Sequence, residues 1–351
     1  MKNKIVEVPS VATPIKRSPG FEKKELSTYK LDIMALCGFG CRYCSSNFGN
    51  YLRINRKDFA DAAEDQLGRR LLPDTDPSLS IIWPDVIEKL EAQVVGRRAG
   101  FGRGHTMVYS MLTDGFSPYL VENGLTEQAL RLVLDHTEFR IRVLTKNAVV
   151  GEDRWIEFFR AYPGRFVVGL SMGTLDSSWA TRVELGTSDP RERLEATQRL
   201  QEGGVPTYGM LCPVFPDAMA NGDLTRLVQG LNPDRLEHLW AEPYNDRANW
   251  RLVQAGYSSG SHGYQWFDRV YGKGRKDLWS RYAADLFLGL KNMAVHDGWL
   301  HKLRYLLYET EIQPQHASVF DGFEGVLLQS KPKSDGTSQN LAICAMQGGA
   351  K

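Results

Sequence analysis

The chain has 351 residues, 42% of them hydrophobic, and a formal net charge of +1 at pH 7. That is enough apolar material for one large domain, or a domain with an appendage. The weak net charge argues against avid non-specific binding of nucleic acid and leaves room only for a local basic groove. No apolar run approaches a membrane span, so a soluble, cytoplasmic protein without a membrane partner is expected.

Residues 1–27 are polar and charged, with Pro9, Pro14 and Pro19, and read as an extended N-terminal segment. From Thr28 a strand pattern begins: Tyr29, Leu31 and Ile33 alternate, and Met34 runs on towards a cysteine-rich loop. Met107–Met111 reads as a buried strand. Leu125, Ala129, Leu130, Val133 and Leu134 recur at helical spacing. Arg140–Thr145 and Phe166–Ser171 are further strands. Asp189-Pro190-Arg191-Glu192 opens a helix with an N-cap Asp, Pro at the first position and Glu placed to close a capping box. That helix ends at Gly203-Gly204, and Pro206 precedes a strand over Tyr208–Cys212. His238–Ala241 is a short strand. Strands alternating with helices predict parallel pairing with crossover helices. Ligands of such folds bind at the carboxyl ends of the strands. The Gly-rich segments 256–263 and 272–276 predict surface loops or mobile covers. The tail from Lys331 is expected to be flexible, with Leu341–Met346 able to return and pack.

The loop carries Cys37, Cys41 and Cys44, spaced C-x3-C-x2-C; Cys212 and Cys344 are the only other cysteines. Gly38 and Gly40 let the backbone wrap tightly, so three thiolates can face one inorganic centre. A structural zinc closes with four protein ligands, so a zinc reading needs a remote histidine such as His105, His136 or His238. An iron–sulfur cluster held by three cysteines instead leaves one iron open. Disulfides do not suit an odd cysteine count in a reducing compartment.

The spacing, with the aromatic Tyr43 just before the last cysteine, resembles the signature of the radical S-adenosylmethionine (SAM) superfamily. The resemblance implies a [4Fe-4S] cluster on Cys37, Cys41 and Cys44. It also implies SAM chelated at the open iron and reductively cleaved to a 5′-deoxyadenosyl radical that abstracts hydrogen from an organic substrate. It further implies a partial (β/α)6 parallel barrel, assigned to residues 28–245, with 246–351 as a C-terminal extension covering it. A reducing partner such as flavodoxin or ferredoxin is implied as well. Further stretches resemble the spore photoproduct lyase-like branch: Thr113-Asp114-Gly-Phe-Ser-Pro118 followed by Leu125-Thr126, Leu144-Thr-Lys-Asn147, Gly169-Leu-Ser171, Glu184-Leu-Gly186, Arg193-Leu-Glu-Ala196 and Pro213-Val-Phe-Pro216. The branch's Glu-Pro-Gly is Glu-Leu-Gly here. The set covers about residues 28–245 in order.

By that resemblance Tyr43 packs near adenine or shields the cluster. Thr113 and Asp114 meet the SAM amine. Ser171 bonds a ribose hydroxyl, and Arg193 reaches the SAM carboxylate. Glu184 is a ribose or amine partner, and Lys146 faces substrate or the carboxylate. Each also has an ordinary structural role as an alternative. Cys212, at a strand end, is the candidate catalytic thiol that returns hydrogen to a substrate radical; its alternative is core packing. Glu242, Tyr244 and Asn245 are candidate substrate contacts. Arg97, Arg98 and Arg103, in and before Gly100–Gly104, could join Arg53, Arg56 and Lys57 in a groove for nucleic acid. The substrate classes expected are a nucleic-acid lesion, as in a lyase acting on spore photoproduct, or a small metabolite, nucleotide or peptide. The rival from another class is a zinc- or iron–sulfur-stabilised binding protein without catalysis.

Overall fold

The computed structural model describes residues 4–10, 13–110, 112–246, 248–307 and 312–328. The expectations for the tail from Lys331, for Cys344 and for Met111 lie outside the described residues. In chain order the strands are β1 (Lys4–Glu7), β2 (Ile15–Arg17), β3 (Tyr29–Leu31), β4 (Met34–Cys37), β5 (Leu79–Ile82), β6 (Thr106–Tyr109), β7 (Arg140–Thr145), β8 (Phe166–Leu170), β9 (Thr207–Val214), β10 (Leu236–Pro243), β11 (Leu303–Leu307) and β12 (Val326–Leu328). Helices separate the successive strands β3, β6, β7, β8, β9 and β10, the α/β order of the partial (β/α)6 class. The chain divides into two compact units. The first comprises Met1–Ser171, Asp176–Thr207 and Asp246–Gly256; the second comprises Met172–Leu175, Tyr208–Asn245 and Tyr257–Lys351.

In the first unit β3, β6, β7 and β8 pair in parallel, and β2 adds antiparallel to β3. Strand β8 is buried along its whole length, as expected for a strand covered on both faces. The helix Leu125–His136 links β6 to β7 and buries Thr126, Ala129, Leu130, Val133 and Leu134, the predicted stripe with Thr126 in place of Leu125, which is half-buried. The helix Pro190–Glu202 carries the predicted capping box. Asp189 accepts from the Arg191 N–H at 2.8 Å, and Glu192 accepts from the Asp189 N–H at 3.0 Å.

The run from Thr28 to the cysteines is not one strand. β3 stops at Leu31, and β4 joins β5 antiparallel in a separate sheet of order β1-β5-β4. The break falls at Asp32, a buried carboxylate inside an apolar run. It takes Lys30 at 2.8 Å, while the Ser110 N–H donates to the Leu31 carbonyl at 2.7 Å. The N-terminal segment supplies β1 to that small sheet and β2 to the larger one.

In the second unit β10, β11 and β12 pair in parallel. The long helix Lys276–His296 buries Trp279, Tyr282, Leu286, Phe287 and Leu290. The Trp279 indole N–H donates to the Tyr244 carbonyl at 2.7 Å, and the Tyr305 hydroxyl donates to the Ala283 carbonyl at 2.6 Å. The Gly-rich segments are turns that lead into helices beginning at His262 and Lys276. Among the described residues no helix is long and apolar enough to cross a membrane.

Candidate functional site around the cysteine loop

Cys37 ends β4 opposite Ser80 of β5. Gly38 and Gly40 then take left-handed φ values of +72° and +64°. A Cβ at Gly38 would stand 2.2 Å from the Ser80 hydroxyl oxygen, and one at Gly40 would stand 2.5 Å from Pro77 Cβ. Only glycine meets both demands. The Arg42 N–H donates to the Val183 carbonyl at 2.9 Å, and the Gly186 N–H donates to the Phe39 carbonyl at 2.8 Å. A Cβ at Gly186 would sit 3.2 Å from the Phe39 backbone, so glycine here allows close approach. The Ser46 hydroxyl donates to the Leu112 carbonyl at 2.7 Å.

Cys37 and Cys41 are buried and Cys44 is half-buried. Burial pushes the Cys37 thiol up to about 12, with the negative charges of Cys44 and Asp114 adding to it. Burial likewise lifts Cys41 well above its ordinary value, reinforced by Glu184. Such thiols need a bound cation to ionise. Among the described residues no group of three or more His, Cys, Asp or Glu side chains is gathered closely enough to hold a metal ion. The three thiols share one loop without converging on a centre. The donor chemistry still discriminates: three thiols in one loop, with no fourth ligand beside them among the described residues, would fit a cluster with one open iron better than a closed zinc site.

A buried charge network lies against this loop. Glu184 follows the helix Ser177–Val183 and is 4% exposed. It accepts hydrogen bonds from the Tyr43 hydroxyl and the Arg193 guanidinium, and Lys146 Nζ lies 3.1 Å away. Burial pushes the Glu184 carboxyl up, but Arg193 and Lys146 outweigh it and hold the group down at about 2. Arg193 also donates to the Ser171 carbonyl at 2.6 Å, and its Nε is buried without a partner. Lys146 donates to the Ser171 hydroxyl at 2.8 Å and stands 5.6 Å from the Tyr43 ring centre. Burial and Glu184 raise the Tyr43 hydroxyl well above its ordinary range, so it stays a donor. Glu184 thus pairs with two cations beside Cys41, and Asp114 is a second carboxylate next to Lys146.

The structure thus gathers Tyr43, Lys146, Ser171, Glu184 and Arg193. Asp114 is adjacent but fully engaged. It accepts from the Thr145 hydroxyl at 2.7 Å and from the N–H groups of Phe116 at 2.9 Å and Lys146 at 2.7 Å. It fastens the end of β6 to the end of β7, and burial raises its carboxyl. The Thr113 hydroxyl is buried without a partner and lines a different cavity. Cys212 belongs to the second unit and lies within β9 rather than after it; its sulfur is 3.1 Å from a Glu242 carboxylate oxygen. Tyr244 is a core residue stacked on Phe215. Asn245 donates to the Pro243 carbonyl at 3.2 Å.

Three of the basic residues are paired: Arg56 with Asp74 at 2.6 Å, Lys57 with Asp61 at 2.7 Å, and Arg103 with Glu138 at 2.5 Å. Gly102 packs on the Phe139 ring, where a Cβ would come within 2.6 Å. Ser46, Lys30 and Asp32 are site-proximal residues not singled out from the sequence; the only signal was a charged residue, Asp32, within an apolar strand pattern.

No family model matches the chain, and no curated protein matches it. Solved structures do. A spore photoproduct lyase mutant with bound AdoMet and dinucleoside spore photoproduct is 14% identical, with a TM-score of 0.44 over 72% of this chain and 65% of that one. Native anSMEcpe with bound AdoMet and a peptide is 12% identical, with a TM-score of 0.42 over 78% and 63%. SuiB of Streptococcus suis bound to S-adenosylmethionine is 12% identical, with a TM-score of 0.30 over 43% and 33%. The chain therefore spans less than two thirds of the length of each of these three.

Proposed function

We propose that this chain is a radical SAM enzyme, with Cys37, Cys41 and Cys44 as ligands of a [4Fe-4S] cluster and SAM as the molecule cleaved. When bound, the cluster would supply the electron for that cleavage, delivered by a flavodoxin- or ferredoxin-like donor. The observation that carries the proposal is the buried Tyr43–Glu184–Arg193–Lys146 network against the cysteine loop. Its two cations, Arg193 and Lys146, suit the carboxylate of SAM and an anionic centre at the thiolates. Glu184 holds the two cations in place, and Tyr43 covers the loop and keeps water out. Ser171 offers a hydroxyl to a ribose. Thr113 and Asp114 lie at the end of β6, and Asp114 acts by fixing the backbone of Lys146. The substrate is organic, a nucleic-acid lesion or alternatively a small metabolite, nucleotide or peptide.

Anaerobic reconstitution with iron and sulfide, then SAM and dithionite, tests this. A brown protein forming 5′-deoxyadenosine is expected, and loss of both on replacing any of Cys37, Cys41 or Cys44 by Ala. A colourless protein that retains zinc and forms no 5′-deoxyadenosine would establish the non-catalytic alternative.

A further inference from the structure

A cavity of about 190 Å³ opens beside the ends of β3 and β6, lined by Lys16, Lys30, Asp32, Tyr51, Trp83 and Thr113 among others. Lys16 of β2 and Lys30 of β3 stand directly opposite each other in an antiparallel pair. Like charges so placed destabilise a sheet. Among the described residues one carboxylate pairs with them: Asp32, 2.8 Å from Lys30. Among the described residues Lys16 has no side-chain hydrogen bond or ion pair. The cavity rim therefore carries one positive charge, the exposed Lys16, without a carboxylate partner. The Thr113 hydroxyl is a buried donor with nothing to receive its proton, a cost that a ligand acceptor would remove. Tyr51 and Trp83 supply aromatic walls, and burial together with Asp32 keeps the Tyr51 hydroxyl protonated. The cavity is below the roughly 300 Å³ at which drug-sized ligand pockets begin, so it suits a single ring rather than an extended molecule.

We propose that this cavity binds a small planar anion, one ring bearing a carboxylate or a phosphate. The anionic group lies between Lys16 and Lys30, and the ring lies against Tyr51 and Trp83. The inference rests on the functional proposal only in taking this ligand as the substrate. The position supports that identity, since Asp32 and Thr113 follow strands of the parallel sheet, where ligands of α/β folds bind.

Titration calorimetry of the full chain with benzoate, phenyl phosphate and neutral benzyl alcohol tests the site, with no SAM or reductant present. At least one anion should bind saturably at one site, about tenfold or more tighter than benzyl alcohol, the scale of a charge-assisted hydrogen bond. The tighter of the two anions identifies the group. Lys16→Glu and Thr113→Val should each weaken it by about tenfold. Lys16→Glu creates an opposite-charge pair with Lys30, so this variant should melt no lower than the wild type. The proposal is overturned if neither anion binds, if benzyl alcohol binds equally well, or if Lys16→Glu leaves the affinity unchanged. Failure here with SAM cleavage intact removes only the cavity. Failure of SAM cleavage with anion binding intact removes only the functional proposal.

Discussion

Glu184 has Arg193, Lys146 and Tyr43 around it and 4% of its surface exposed. Its carboxyl lies at about 2 against an ordinary 4.5. A depressed acid contributes stability above its unfolded value, and that stability drains away as pH falls through the folded one. Between about pH 4.5 and 2 the wild type should therefore lose about 3 kcal/mol through this group. Glu184→Gln keeps the shape but strands the Arg193 guanidinium in the interior, where breaking a buried pair costs about 3–5 kcal/mol. Urea unfolding at pH 7 should show that loss, and the variant's stability should fall less steeply in acid. Equal acid slopes for both proteins would show that Glu184 does not carry the titration. Asp114 has the opposite sign: burial raises its carboxyl, so ionisation there opposes folding and its backbone hydrogen bonds offset only part of that cost.

At the scale of elements, the cysteine loop is held by backbone contacts to the turn after the helix Ser177–Val183 and by its own glycines. Gly40→Ala combines a left-handed φ with a 2.5 Å clash on Pro77, and Gly186→Ala pushes on Phe39 at 3.2 Å. Gly40→Ala should cost roughly 1–3 kcal/mol and lower bound iron after reconstitution; Gly186→Ala should do the same more mildly. Unchanged iron content in Gly40→Ala, with the fold confirmed by circular dichroism, would show that the loop tolerates displacement. Local patterns made much of this legible beforehand. The stripe on Leu125–His136, the capping box at Asp189 and the buried strands β7 and β8 each follow from side chains near in sequence. The break between β3 and β4 does not, because Asp32 ends the strand through Lys30 and through a loop some eighty residues on. The same limit governs the site. Tyr43, Glu184 and Arg193 stood in motifs, but that they close on one another is a product of tertiary folding. The opposition of Lys16 and Lys30 depends on a strand register that no local pattern announces.

At the scale of the whole molecule, the first unit holds the cysteine loop and the second holds Cys212. Its sulfur lies 3.1 Å from a Glu242 carboxylate oxygen, so the thiol has an acceptor with which to trade its proton, and it is half-buried rather than sealed in the core. A substrate radical must be quenched either by hydrogen returned from 5′-deoxyadenosine or by a protein donor. If Cys212 is that donor, the reaction run in deuterated water should place one deuterium in the product, because a thiol exchanges its proton with solvent. Cys212→Ala should then still form 5′-deoxyadenosine, at a rate within about a factor of three of the wild type, while the product loses its label or diverts to other species. Retained turnover with misdirected product separates a donor from a packing residue, whose loss would lower stability and leave the product pattern intact. Mass spectrometry of the product decides between them: unlabelled product from the wild type, with the same products from the variant, makes Cys212 structural and assigns quenching to the cofactor-derived hydrogen.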